Sequence, residues 1–130
     1  MFWIFCIILI GIFGWLGFNY IRVRRAAKVV SNSEFENLIH QGQVIDVRIP
    51  SEFYRKHILG ARNIPSAQLA ASIGALRKDK PVLLYENSRG REVTSAALYL
   101  KKQGFTDIYI LSYGLNEWNG KIKEDKNIYY

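Results

Sequence analysis

The chain has 130 residues, a formal net charge of +7, two histidines and a single cysteine. One cysteine supports neither a disulfide framework nor a cysteine-based zinc site. Neither histidine has partners at metal-ligand spacing, so no metal or other cofactor is expected. Four of the positive charges cluster between residues 22 and 28. No basic stripe interleaved with aromatic residues occurs elsewhere, which argues against nucleic-acid binding.

Residues 1–21 carry no charged side chain, are almost wholly apolar and contain the only cysteine, Cys6. As a helix rising about 1.5 Å per residue they extend roughly 30 Å, enough to cross a bilayer. A cleaved signal peptide has a basic segment before its apolar stretch and small residues after it. Here the first basic residue, Arg22, follows the apolar stretch. The pattern favours an uncleaved transmembrane helix over a signal peptide.

The basic cluster follows the apolar stretch directly. We expect residues 22–32 to form a basic juxtamembrane linker in which Arg22, Arg24, Arg25 and Lys28 contact anionic lipid headgroups. Basic residues that flank a spanning helix stay on the cytoplasmic side of the membrane. The sequence therefore predicts a single-pass protein of the cell membrane whose folded domain faces the cytoplasm.

Hydrophobic spacing downstream predicts alternating helices and strands. Ser33 and Glu36 have the spacing of a capping box, which predicts a helix N-terminus. Residues 66–77 have apolar side chains at helical spacing and predict an amphipathic crossover helix. The other elements predicted before residue 80 are a strand at 44–47, a short helix from Pro50, a tight turn at Gly60 and a strand at 61–64.

The stretch from Lys80 to Gly104 is the most informative part of the chain. Residues 82–85 are a short apolar run, typical of a strand buried on both faces. From Arg91 onward, apolar residues recur at intervals of three and four, which predicts a helix that ends at Gly104. A loop that joins a parallel strand to a helix N-terminus directs several backbone N–H groups at one point and favours an anion there. A strand at 108–111, a helix through residues 115–118 and a polar tail at 122–130 complete the prediction.

Several motifs in this order resemble a rhodanese domain. They are "DVR" at 46–48, "EF" at 52–53, "KHILGARNIP" at 56–65, the strand–loop–helix of 80–104 and "GFTDIYILSYGLNEW" at 104–118. The resemblance covers residues 33–121. It implies an α/β, three-layer, rhodanese-like domain with a mostly parallel sheet of about five strands, preceded here by the transmembrane helix.

The resemblance also identifies the site and what it lacks. Active members of the family begin the loop with a cysteine that carries the persulfide sulfur. Here the loop is Glu86, Asn87, Ser88, Arg89, Gly90 and Arg91, so Glu86 stands at the nucleophile position. No catalytic residue is therefore expected. The pocket edge is assigned to Asp46, Arg48, His57 and Tyr113, with a structural role for Asp46, a packing and hydrogen-bonding role for His57, and a narrowing of the pocket mouth by Tyr113.

Two orientations of the Glu86 side chain remain open. In the first, its carboxylate folds onto the N–H groups of residues 87–91, or pairs with Arg89 or Arg91, and fills the pocket from within. In the second, it points to solvent. In the first orientation the helix N-terminus stabilises the negative charge by about 0.3–1 kcal/mol. The sequence does not decide between the two orientations.

Two functions from different classes follow. The first is a membrane-tethered module, inactive as a sulfurtransferase, that binds an unknown protein partner through Arg48, Arg89, Arg91 and Tyr113. The second is a sulfurtransferase that relies on a cysteine from a partner chain.

Overall fold

The computed structural model describes residues 1–124, apart from the side chains of residues 22–25. The predicted contacts of Arg22, Arg24 and Arg25 with lipid, and most of the predicted polar tail, lie outside the described residues. The helices are α1 (Phe2–Ala26), α2 (Asn32–Ile39), α3 (Pro50–Arg55), α4 (Leu69–Ser72) and α5 (Arg91–Lys102). The strands are β1 (Lys28–Val30), β2 (Gln43–Asp46), β3 (Lys56–Ile58), β4 (Arg62–Asn63), β5 (Val82–Tyr85), β6 (Ile108–Leu111) and β7 (Ile122–Glu124).

The main sheet has five strands in the order β1-β6-β5-β2-β4, and every neighbouring pair is parallel. The predicted α/β fold with a mostly parallel sheet is therefore confirmed. All residues of the central strand β5 are fully buried, because helices cover both faces of a parallel sheet. One apolar cluster joins the sheet to α4 and α5, and the other joins it to α2.

Because the main strands are parallel, their C-terminal ends meet at one edge, which we call the loop edge. It is formed by the ends of β1, β6, β5, β2 and β4 and by the segments that follow them. Asp46, the last residue of β2, is in register with Tyr85, the last residue of β5. The residues that come directly after these two strands are therefore neighbours in space.

Two strands lie outside the boundaries that the sequence assigns to the domain. Lys28–Val30, within the predicted linker, pairs with Tyr109–Leu111 at the edge of the main sheet. Ile122–Glu124, within the predicted tail, pairs antiparallel with Lys56–Ile58 in a separate two-stranded sheet. Only Ala27 separates α1 from β1, so the chain passes from the apolar helix into the sheet without a flexible connection.

Three predicted helix details differ in the structure. The N-cap of α2 is Ser31, whose hydroxyl accepts from the Glu34 N–H, and not Ser33. The predicted crossover helix at 66–77 is divided into a 3₁₀ turn, the single turn of α4 and a second 3₁₀ turn. Serine and glycine at positions 72 and 74 weaken a continuous α-helix here. The predicted helix at 115–118 is a 3₁₀ turn, Leu115–Glu117.

Helix α1 is the other main feature of the fold. Its segment Phe2–Ile21 is long and apolar enough to cross a membrane. The large apolar side chains of this segment are exposed, whereas Ala26 and Ala27, beside the sheet, are buried. Only the end of α1 therefore belongs to the core of the folded domain.

Candidate functional site

The candidate site lies on the loop edge and starts with a buried ion pair between Asp46 and Arg48. Asp46 is fully buried and Arg48 is 7% exposed. The carboxylate accepts from the Arg48 backbone N–H at 2.9 Å, from Nε at 3.0 Å and from Nη2 at 2.7 Å. The bonds from Nε and Nη2 give the charge-assisted, two-pronged geometry that makes an arginine–carboxylate pair strong.

Arg48 extends this pair into the neighbouring loops. Its Nη1 donates to Oδ1 of Asn87 at 3.0 Å, and its Nη2 donates to the Lys56 carbonyl at 2.5 Å. The Asn87 amide in turn donates to the Glu52 carboxylate at 3.3 Å. The Arg48 guanidinium thus holds neighbouring segments together and is buried. It is therefore not part of the partner-binding surface expected from the sequence, which was assigned to Arg48, Arg89, Arg91 and Tyr113.

Asn63 closes the same network from the edge strand β4. Its side-chain amide donates to the carbonyl oxygens of Asp46, at 3.1 Å, and Arg48, at 2.9 Å. The Asp46 carbonyl also accepts from the Ile64 N–H at 3.0 Å, so Asn63 is its second donor. Asp46 therefore joins β2 to β4 through its carbonyl and to Arg48 through its carboxylate.

The Glu86 side chain folds back over the start of α5. Its Oε2 accepts from the Val93 N–H at 2.7 Å. Its Oε1 lies so close to Gly90 that a β-carbon at that position would be 3.0 Å away. The first of the two predicted orientations is therefore the one adopted, although its short hydrogen bond comes from residue 93 and not from residues 87–91.

Burial raises the pKa of the Glu86 carboxyl above its ordinary value, and the nearby Glu92 charge acts in the same direction. Hydrogen bonds from the N–H groups of Val93, Glu92 and Gly90 act in the opposite direction but do not outweigh the burial. The carboxylate thus occupies the anion-favouring helix N-terminus at a net cost in solvation.

The two arginines of the loop, Arg89 and Arg91, are exposed. In the described part of the chain, the ion pairs with N–O distances up to 4.0 Å are Arg48–Asp46 and Arg77–Asp79. The predicted alternative in which Glu86 pairs with Arg89 or Arg91 is therefore not the one observed. Both guanidinium groups face the surface.

Gly114 holds the backbone of the loop in place from the opposite side. Its φ is +67°, and a β-carbon there would lie 2.5 Å from the Glu86 carbonyl oxygen. The close approach lets the Leu115 and Asn116 N–H groups donate to the carbonyls of Glu86, at 2.8 Å, and Asn87, at 3.0 Å. A residue with a side chain would push these two segments apart.

Tyr113, next to this glycine, is 67% exposed. It lines a surface depression of about 380 Å³ together with Ser88, Arg89, Ser112, Asn116 and Glu117. Its ring therefore forms part of the wall of an open depression.

His57 packs against Phe53. It is 8% exposed, its Nδ1 is 2.7 Å from the Phe53 carbonyl oxygen, and its ring stacks on that of Phe53 with centroids 3.8 Å apart. Among the described residues, no group of three or more His, Cys, Asp or Glu side chains is arranged to hold a metal ion.

Sequence reasoning missed Tyr85 as a member of the site. Its ring is fully buried, and its hydroxyl accepts from the Ile58 N–H at 3.0 Å. Burial, reinforced by the Asp46 charge, raises the pKa of this phenol. The available signal was a hydroxyl at the end of an otherwise apolar strand, because a buried tyrosine usually finds a polar partner.

A family model described as "Rhodanese-like domain" matches residues 31–121. The protein YqhL of Bacillus subtilis, itself uncharacterised, is 44% identical over 108 residues, which cover 83% of this chain and 85% of YqhL. Thiosulfate sulfurtransferase GlpE of Pseudomonas aeruginosa is 36% identical over 64% of this chain and 74% of its own length. A crystal structure of a thiosulfate sulfurtransferase from P. aeruginosa superposes with a TM-score of 0.66 and 28% identity, over 75% of this chain and 20% of that one.

Proposed function

Because this chain belongs to the rhodanese-like domain family, we propose that it is a membrane-anchored rhodanese-like module that binds a protein partner and does not itself transfer sulfur. The observation that supports the proposal most directly is the Glu86 carboxylate held by the Val93 N–H at 2.7 Å. In the resemblance described above, Glu86 stands where the family's nucleophilic cysteine would be. An acid that brings its own negative charge to the helix N-terminus leaves no place there for a substrate anion.

The chemistry of sulfur transfer requires a thiolate, which attacks the sulfane sulfur and carries it as a persulfide. The only cysteine of this chain, Cys6, lies in α1. A carboxylate does not form a persulfide, and the arginines of the loop do not exchange protons at neutral pH. The names of the sulfurtransferase relatives therefore support the fold and the ancestry of the site more than its activity.

Membrane anchoring is proposed from the exposure of α1. A globular domain does not leave a long continuous apolar helix in water, and Phe2–Ile21 spans roughly 30 Å. We propose one crossing of the cell membrane with the domain in the cytoplasm and the basic cluster of residues 22–28 at anionic headgroups. Mass spectrometry of the chain from washed membranes tests this, because a processed signal sequence would remove α1.

The partner is proposed to bind the loop edge around Tyr113 and Arg91. Both side chains are exposed, and tyrosine and arginine are enriched at the energetic centres of protein interfaces. We expect Tyr113→Ala to abolish co-purification of the partner from detergent-solubilised membranes. Tyr54→Ala is the matched control, since Tyr54 is 66% exposed on α3 and should retain the partner. Equal retention by both variants would exclude this surface.

The activity is tested with a thiosulfate:cyanide assay on the detergent-solubilised full chain, with and without Cys6→Ser. We expect background turnover from both, with a GlpE-type enzyme as the positive control. Turnover that survives Cys6→Ser would contradict the proposal. Turnover that appears only when membrane extract is added, and is lost on alkylating that extract, would support the alternative in which a partner supplies the thiol.

The plugged loop has its own test. Glu86→Ala should bind sulfate, measured by calorimetry, because removal of the carboxylate frees the N–H groups at the start of α5. The parent chain should not bind it. Equal sulfate binding by parent and variant would show that Glu86 does not fill the site.

A further inference from the structure

A second cavity lies between the end of α1 and the loop edge. It has a volume of about 800 Å³ and is open to solvent. The cationic residues Lys28 and Arg89 line it, together with the hydroxyl-bearing residues Tyr20 and Thr94. Its lining contains no acidic residue among those that the structure describes. The cavity thus has the composition of a site for an anion.

The lining of this cavity brings the apolar segment of α1 close to the loop edge. Strand β1 runs from Lys28 toward the loop edge, and α1 ends just before it at Ala26. Tyr20 lies about 9 Å back along the helix axis from Ala26 and shares the cavity with Arg89 and Thr94, which belong to the loop and the first turn of α5. Helix α1 also contacts α5. The end of the apolar segment therefore lies beside the loop edge.

We infer that the loop edge faces the membrane surface, and that the cavity between α1 and Arg89 binds the phosphate of an anionic phospholipid headgroup. This inference rests on the membrane anchoring proposed above. A phosphate diester in this cavity meets the Arg89 guanidinium, a group that binds phosphate oxygens with two parallel hydrogen bonds. It also meets the Lys28 ammonium. Tyr20, at the end of the apolar segment, lies where aromatic residues accumulate at membrane interfaces.

The lipid site is tested by native mass spectrometry of the full chain in detergent, titrated with phosphatidylglycerol or phosphatidylcholine. We expect the parent to retain phosphatidylglycerol in preference. Substitution of both cavity cations, Lys28→Ser with Arg89→Ser, should weaken phosphatidylglycerol binding about thirtyfold. The control is Lys101→Ser with Lys102→Ser, which removes the same charge from the opposite end of α5 and should have little effect. Equal losses in the two double variants would overturn the lipid site.

A second arm separates the two sources of a phosphate group. Inorganic phosphate, added at a concentration equal to that of the lipid, should not displace phosphatidylglycerol. Displacement at equal concentration would assign the cavity to a free anion and overturn the headgroup assignment.

The orientation is tested separately in nanodiscs that contain a nickel-chelating lipid. A spin label is placed by Ser88→Cys at the loop edge, or by Lys101→Cys at the far end of α5, both in Cys6→Ser. We expect the label at position 88 to relax faster, because it lies closer to the headgroup nickel. Equal or reversed relaxation would overturn the orientation while leaving the anchoring intact. A chain that does not enter nanodiscs would overturn the anchoring itself, and the inference with it.

Discussion

Two acids stand at the loop edge, at the ends of adjacent parallel strands, and they are held in opposite ways. Asp46 is fully buried, and its carboxylate accepts four hydrogen bonds from one arginine. Glu86 is half-buried and is held by backbone N–H groups alone. The residue at position 46 must therefore be an acid as long as Arg48 is its buried partner. Position 86 requires only a hydrogen-bond acceptor that suits a helix N-terminus.

The largest loss of stability should come from breaking the ion pair of Asp46 with Arg48. Asp46→Ala leaves the Arg48 guanidinium buried without its counter-charge, which should lower the free energy of unfolding by about 3–5 kcal/mol. Glu86→Ala should lower it by less than about 1 kcal/mol, since the truncation lets water reach the Val93 N–H in place of the carboxylate. Urea titration of the full chain in detergent, followed by tryptophan fluorescence, measures both. Similar losses would mean that the two acids do not differ in the way the contacts indicate.

Gly114→Ala should have the next largest effect, because two hydrogen bonds hold the backbone of the loop against the segment that follows Gly114. Alanine at φ +67° is strained, and its β-carbon would overlap the Glu86 carbonyl. We expect a loss of about 2–4 kcal/mol in the same titration. Gly74→Ala is the control, since a β-carbon there meets open space; an equal loss from it would refute the close-approach explanation.

Glu86→Cys tests whether position 86 also stabilises a thiolate. Backbone N–H groups at a helix N-terminus stabilise a thiolate, so the pKa of the new thiol should lie at least about one unit below the 8.5 of a free cysteine. The pH dependence of alkylation, measured in Cys6→Ser, gives this value. A pKa at or above 8.5 would mean that burial dominates for the thiolate as it does for the carboxylate.

The smallest effect concerns the pH dependence of stability. Burial raises the pKa of Glu86 above its ordinary value of 4.5 in the folded state. The folded chain therefore keeps this proton to higher pH than the unfolded chain does, and the associated stability is lost as pH rises through that window. Glu86→Gln, which keeps an acceptor for the Val93 N–H, should gain stability relative to the parent over the same window. A difference that does not change with pH would contradict the raised pKa.

Sequence predicts best those parts of the molecule whose pattern lies within a short segment of the chain. The apolar run of β5 and the periodic face of α5, closed by Gly104, each lie within a few turns of chain. The five-strand sheet followed from the family resemblance. The three-residue strand β1 was missed because so short a segment has no periodicity, and its pairing with β6 joins residues about eighty positions apart.

The same difference between local and long-range signals holds for the candidate site. The loop 86–91 was located from its place between a strand and a helix, and the fold brings Asp46 and Arg48 to the same edge. The bonds from Arg48 to Asn87 and from Asn87 to Glu52 were not predictable, because they join residues 39 and 35 positions apart. The orientation of Glu86 was left open for a similar reason, since burial and backbone hydrogen bonds act against each other there.

The single residue between α1 and β1 also limits how the protein meets other molecules. In the proposed anchored state no flexible linker joins the domain to its membrane helix. The distance of the domain from the lipid is therefore set by where β1 joins the sheet. Any partner that reaches Tyr113 must then approach sideways within the narrow layer beside the bilayer. Encounters in that layer are governed by lateral diffusion, and a partner that shares the membrane has the advantage over one that arrives from bulk solution.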